Sequence, residues 1–210
     1  MGSVEVAVVF DPPIDSGPPD DRTASEGFDL YLDYVAPDIV SFSLFGTGVL
    51  DYYCQDNPAA GDFCIHWTGA DHYDNISFRF SPVKDLSMLV DEGYVVDFWV
   101  RCDTPSARFH IGFVDTKTND PGDRPWFMRY AIDRNVADWN GQWNHLQIPL
   151  NAFFENGSWD DNRHWEPVGD FDWAATEYFQ IIAEDSDLEG IHLYFDDIRV
   201  VASSLTRRRR

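Results

Sequence analysis

From Phe28 onward the chain runs in short stretches that alternate apolar and polar positions, separated by clusters of Gly, Pro, Asn and Asp. Period-two runs bounded by turn residues predict β-strands. The strands expected are Asp29 to Tyr34, Val49 to Tyr53, Phe63 to Thr68, Asn75 to Phe80, Tyr94 to Arg101, Arg108 to Asp115, Trp126 to Ile132, Trp143 to Leu150, Tyr178 to Ala183 and Ile191 to Val201. No segment keeps a 3.6-residue apolar period, so helix is confined to single turns at Leu86 to Val90 or Leu150 to Phe154. This many short strands predict an all-β fold, a two-sheet β-sandwich of jelly-roll type.

Alternation also assigns faces. Val96, Phe98 and Val100 are expected to point into the core, leaving Asp97, Trp99 and Arg101 outside. Phe109, Ile111 and Phe113 point in, with Arg108, His110 and Gly112 out. Leu146 and Ile148 are core with His145 and Gln147 outside; Phe179 and Ile181 are core with Gln180 and Glu184 outside. If these strands share one sheet, its outer surface collects Trp, Arg, His, Gln and Glu.

Charge narrows the partners. Fifteen basic residues stand against 37 acidic ones, a net charge of −22, and Lys84 and Lys117 are the only lysines. Such a field repels polyanions, which argues against nucleic acid and anionic membranes as partners. Apolar residues make up 44% of the chain, enough for one sizeable core and no transmembrane run. Residues 1–10 read as the tail of a preceding domain or an appended stretch, 11–27 as a Pro- and Asp-rich linker, 28–202 as the sandwich, and 203–210 as a flexible basic tail. Of the three cysteines, Cys54 and Cys64 flank a turn-rich loop. They can cross-link its two sides in an oxidising compartment; the alternative is two buried free thiols.

The outer decoration suits sugars. A pyranose has an apolar CH face that lies on an aromatic ring and hydroxyls that need polar partners. Eight tryptophans are more than a core needs. The expected carbohydrate-binding residues are Trp99, Arg101, His110, Trp126, Arg129, His145, Gln147, Gln180 and Glu184, with Trp99 and Trp126 stacking and the others orienting. Asp97 with Glu184 is the carboxylate pair that a glycosidase reading would need. Cys54, Cys64, His66 and His72 lack the spacing of a zinc knuckle. No GxSxG, HExxH or Walker loop occurs.

The run from Trp143 to Phe153, followed by Leu193 to Val200, resembles the carboxyl half of galactose-binding-like β-sandwich carbohydrate-binding modules, notably the family 11 type. Gly93 to Arg101 and Arg124 to Tyr130 occupy the places of their central strands. The resemblance implies a non-catalytic module of a secreted or cell-surface bacterial protein. It would bind a neutral polysaccharide such as β-glucan as a monomer and target a linked catalytic domain of a glycoside hydrolase. It also implies a structural calcium ion, with Asp196 or Asp197 as the matching last-strand ligand and Asp33, Asp56 and Asn57 as candidates for the rest. A small jelly-roll hydrolase or lyase, and a structural or protein-docking domain, are the other readings left open.

Overall fold

The structure, a computed structural model, describes residues 24–203 apart from 25, 45–47, 117–124, 160–164, 168, 170 and 186. The expectations for residues 1–23 and for residues 204–210 of the basic tail lie outside the described residues. The elements are β1 (Phe28–Tyr31), β2 (Ile39–Leu44), β3 (Val49–Cys54), β4 (Cys64–Thr68), β5 (Asn75–Lys84), α1 (Ser87–Asp91), β6 (Tyr94–Arg101), β7 (Phe109–Asp115), β8 (Phe127–Ile132), β9 (Trp143–Pro149), β10 (Phe154–Glu155), β11 (Ser158–Trp159), β12 (Trp165–Glu166), β13 (Thr176–Ile182) and β14 (His192–Ala202).

Two antiparallel six-stranded sheets form the sandwich. The first has the order β3-β4-β14-β6-β9, with β1 also pairing with β14; the second has the order β10-β8-β7-β13-β5-β2. A separate two-stranded ribbon joins β11 to β12. β14 can hold both β1 and β4 on one edge because β4 pairs with residues 192–195 and β1 with residues 198–200. The change of partner coincides with a bulge between Asp196 and Arg199, where Asp197 has φ of 49°. Such an extra residue resets the strand's register.

The inward residues interlock as their period predicts. Val96, Phe98, Val100, Leu193, Phe195 and Val200 come from the first sheet, and Ile76, Phe78, Phe109, Ile111, Phe113, Phe179 and Ile181 from the second. All are buried in one cluster. Phe109 meets Phe195 edge-to-face across the two sheets at 5.3 Å. Burying a side chain of this size contributes roughly 1.5–3 kcal/mol. Trp139 closes one side, its indole N–H donating to the Ala107 carbonyl at 2.9 Å. The sequence-based reading omits β2, the ribbon and the two-residue β10. Both expected helical sites form single turns, α1 and a 3-10 turn at Leu150–Ala152.

Candidate functional site

The inward and outward assignments hold strand by strand, but the strands do not share one sheet. β6 and β9 belong to the first sheet, and β7, β8 and β13 to the second. The nine residues expected on one surface therefore divide. Trp99, Arg101, His145 and Gln147 decorate the outer face of the first sheet; His110, Arg129 and Gln180, with Glu184 just beyond β13, decorate the opposite outer face. Trp126 precedes β8, with its ring packed against Gly169, where a Cβ would collide with the indole. The reason is topological. Side-chain period fixes which way a residue points relative to its own strand, whereas sheet membership depends on long-range pairing.

On the first sheet most polar groups satisfy one another, although the buried Arg101 Nε has no hydrogen-bond partner. Asp97 accepts from His145 Nε2 at 3.0 Å, Gln147 Nε2 at 2.7 Å and Arg199 Nε at 3.3 Å. Burial opposes its ionisation, but these hydrogen bonds outweigh that and hold the carboxyl below the usual range. The Trp99 ring stacks on His145 with centroids 4.6 Å apart. Arg101 lies 3.8 Å over the Tyr194 ring and 5.3 Å from that of Trp143. Tyr194 in turn stacks on His66 at 4.5 Å. Asp97 and Glu184 thus face away from each other on different sheets, and the carboxylate pair of a glycosidase is not assembled.

The outer face of the second sheet is built differently. A row crosses it from Phe154 through Arg129, Gly112 and Gln180 to Ser77, each the cross-strand partner of the next. Gly112 is where the Arg129 side chain crosses the sheet; a Cβ there would sit 2.6 Å from Arg129 Nη1. Arg129 Nη2 donates to Gln180 Oε1 at 3.4 Å, Gln180 Nε2 donates to Ser77 Oγ at 2.9 Å, and Ser77 Oγ donates to Asn75 Oδ1 at 2.8 Å. The guanidinium also lies 4.6 Å over the Phe127 ring.

This row leaves donors unfilled. Arg129 is 5% exposed and its Nε has no hydrogen-bond partner; Glu184 Oε2 stands 3.8 Å away. Burial lowers the Arg129 pKa to about 10, although Glu184 opposes the shift. His110, 6% exposed, has neither ring nitrogen in a well-formed hydrogen bond, although its Nε2 lies 2.9 Å from Asp185 Oδ2. Burial holds its pKa below the ordinary imidazole value despite Asp185 and Glu184. Arg108 Nε pairs with the same Asp185 oxygen at 2.7 Å.

Two exposed rings, Tyr73 and Phe154, belong to the segments around this sheet. Just before β5, His72 Nε2 is 2.7 Å from the Glu184 carbonyl, and Tyr73 stacks on His72 with centroids 3.7 Å apart. Tyr73 is 56% exposed and has φ of 73°, a left-handed backbone that a tyrosine rarely adopts. Its N–H donates to the Ala183 carbonyl at 2.8 Å, which fixes it beside Glu184. Phe154, 49% exposed, stands at the β10 edge of the row. Strain and exposure together near a face with unfilled buried donors make this face the candidate site.

A family model named carbohydrate binding domain 30 matches residues 61–202. The chain belongs to that family. Its members are non-catalytic sugar-binding modules, and both sheets of the sandwich fall largely within the matched span. No curated protein matches the chain. Among solved structures, a family 30 carbohydrate-binding module is 18% identical, with a TM-score of 0.61 over 85% of this chain and 88% of that one. A family 30 module of a Clostridium thermocellum cellulosomal cellulase is 17% identical, with a TM-score of 0.56 over 85% and 98%. A family 11 module from Clostridium thermocellum, in complex with a β-1,3-1,4-mixed-linked tetrasaccharide, is 14% identical, with a TM-score of 0.55 over 86% and 98%. These likenesses establish the sandwich fold expected from the sequence.

The expected calcium ligands surround one loop, residues 55–63, but take other partners. Asp196 Oδ2 accepts from the Ala59 and Ala60 N–H groups at 2.8 and 3.1 Å, and Oδ1 from that of Asp197 at 2.8 Å. Asp33 Oδ1 accepts from the Asp62 and Phe63 N–H groups at 2.7 and 2.9 Å, with Gly61 lying against the carboxylate. Asp56 accepts from Arg101, and the Asn57 carbonyl accepts from the Trp143 indole at 2.8 Å. Among the described residues no group of three or more His, Cys, Asp or Glu is arranged to hold a metal ion. As placed, the set anchors a loop and does not form a coordination shell.

Tyr73, Phe154, Phe127 and Asp185 are absent from the expected set. The one sequence signal for Tyr73 is an aromatic residue inside the Asp71-His-Tyr-Asp74 turn.

Proposed function

We propose that this module captures a neutral polysaccharide of the β-glucan class on the outer face of the second sheet, without catalysis. Joined to a glycan-degrading enzyme of the secreted or cell-surface kind, it holds that enzyme on its substrate and raises the effective concentration. One observation carries the reading: the buried Arg129 guanidinium has an unfilled Nε–H beside a carboxylate at 3.8 Å. An unmet buried donor costs about 1–3 kcal/mol, more when charged. A sugar hydroxyl is both donor and acceptor, so it can accept from Arg129 and donate to Glu184. Tyr73 and Phe154 supply rings for the CH faces of flanking sugars.

The net charge of −22 favours a neutral polymer over a polyanion. The mixed-linkage tetrasaccharide held by the family 11 structure makes that glucan the first ligand to test. Calorimetry against soluble mixed-linkage β-glucan is expected to show binding, with no new reducing ends after prolonged incubation. Retention only by a charged polysaccharide, or release of sugar by the isolated chain, would overturn the proposal.

A further inference from the structure

We propose that Cys54 and Cys64 are a modification site: they form a cross-strand disulfide that closes the 55–63 loop. The inference is independent of the sugar-binding reading.

The two cysteines are direct cross-strand partners at the end of the β3–β4 ladder. Antiparallel partners have Cα atoms roughly 4.5–5.5 Å apart, within the 4.4–6.8 Å range that a disulfide spans. The thiols are free, and Cys64 Sγ lies 3.5 Å from the Cys54 carbonyl oxygen. Cys102 is buried elsewhere, at the far end of β6, where its sulfur meets the Thr104 N–H at 3.4 Å.

Cys54 is half-buried and Cys64 fully buried, which sets the order of events. The Cys54 thiolate attacks one sulfur of a small disulfide of the glutathione class and expels one small thiolate. Cys64 then loses its proton and attacks Cys54 Sγ, expelling the second. Two protein thiols are oxidised and one small disulfide is reduced to two thiols. No other reactant is needed.

The bond would fasten a loop that already reaches across the first sheet. Between the cysteines lie Asp56 and Asn57, which receive Arg101 and Trp143, and Ala59 and Ala60, which donate to buried Asp196. Constraining so short a loop in the unfolded chain should raise Tm by roughly 5–10 °C.

The test uses the full chain in its folded state, incubated with oxidised glutathione and then denatured for thiol counting. The expected result is one titratable thiol in place of the three in the sequence, a peptide joining Cys54 to Cys64 by mass spectrometry, and the Tm gain above. Cys102→Ser should retain no thiol after oxidation and show the same gain, whereas Cys54→Ser should show neither pairing nor gain. Three surviving thiols, a glutathione adduct that persists on Cys54, or a bond to Cys102 would overturn the inference. Cys102→Ser keeps the test valid even where Cys54→Ser folds poorly.

Discussion

The two outer faces of the sandwich hold similar residue types satisfied to different degrees. On the first sheet Trp99 covers His145, Arg101 lies between Tyr194 and Trp143, and Asp97 is shared among three donors. On the second sheet a buried arginine and a buried histidine remain partly unmet, and Tyr73 and Phe154 are exposed. The richer aromatic face leaves one buried nitrogen unmet, Arg101 Nε, against three on the second sheet: Arg129 Nε and both ring nitrogens of His110. A recognition surface is marked by what the fold leaves unsatisfied, since those groups gain most from a partner.

The most severe way to break this contrast is at Gly112. A Cβ there meets the Met128 carbonyl and Arg129 Nη1, so Gly112→Ala must displace β8 or the guanidinium. It should destabilise the fold by about 1–3 kcal/mol and abolish glucan binding, as read by thermal melts and calorimetry. Next comes Tyr73→Ala, which removes an exposed ring while leaving the core untouched. Affinity should fall roughly five- to tenfold, the equivalent of a stacking contact near 1 kcal/mol, with Tm unchanged within about 2 °C.

A smaller effect is expected from pH. Burial depresses the His110 pKa, so the unfolded chain binds that proton more readily than the fold does. Its contribution is present above the ordinary imidazole value of 6.5 and is lost as pH falls below it. Asp196 acts in the opposite sense: burial raises its pKa to about 6 against the hydrogen bonds from the Ala60 and Ala59 amides. Its contribution is present in acid and is lost as pH rises through that value. His110→Gln should therefore improve relative stability near pH 5, and Asp196→Asn should reduce it there. Urea melts at pH 5 and 7.5 separate the two. An identical pH dependence in both variants would remove these groups as its source.

The smallest effect concerns calcium. With Asp196 and Asp33 occupied by backbone donors and Asp56 by Arg101, excess chelator should leave Tm unchanged within about 1 °C. A fall of several degrees, reversed by calcium, would show that the loop around Asp196 rearranges into a coordination shell.

Much of this contrast was readable in the sequence, and its decisive part was not. Alternation through Val96 to Arg101 and Phe109 to Asp115 gave the correct core. The same parity could not tell that β6 and β7, consecutive in sequence, enter different sheets, because pairing partners are set by contacts distant along the chain. β2 was passed over although Ile39 to Leu44 alternates, its serines diluting the apolar signal. Tyr73 went unseen because a positive φ leaves no trace in composition. Arg129 was expected in the site, but its lack of a partner depends on Gly112, Gln180 and Glu184 arriving from three other places in the chain.

The central claim is that the second sheet's outer face, and not the first's, takes the sugar. Calorimetry of Arg129→Ala and Trp99→Ala against mixed-linkage β-glucan, with melts to verify folding, tests it most directly. The account predicts that Arg129→Ala loses at least roughly a hundredfold in affinity, while Trp99→Ala binds within twofold of the parent. The reverse pattern, with Trp99→Ala silent and Arg129→Ala binding normally, would contradict it.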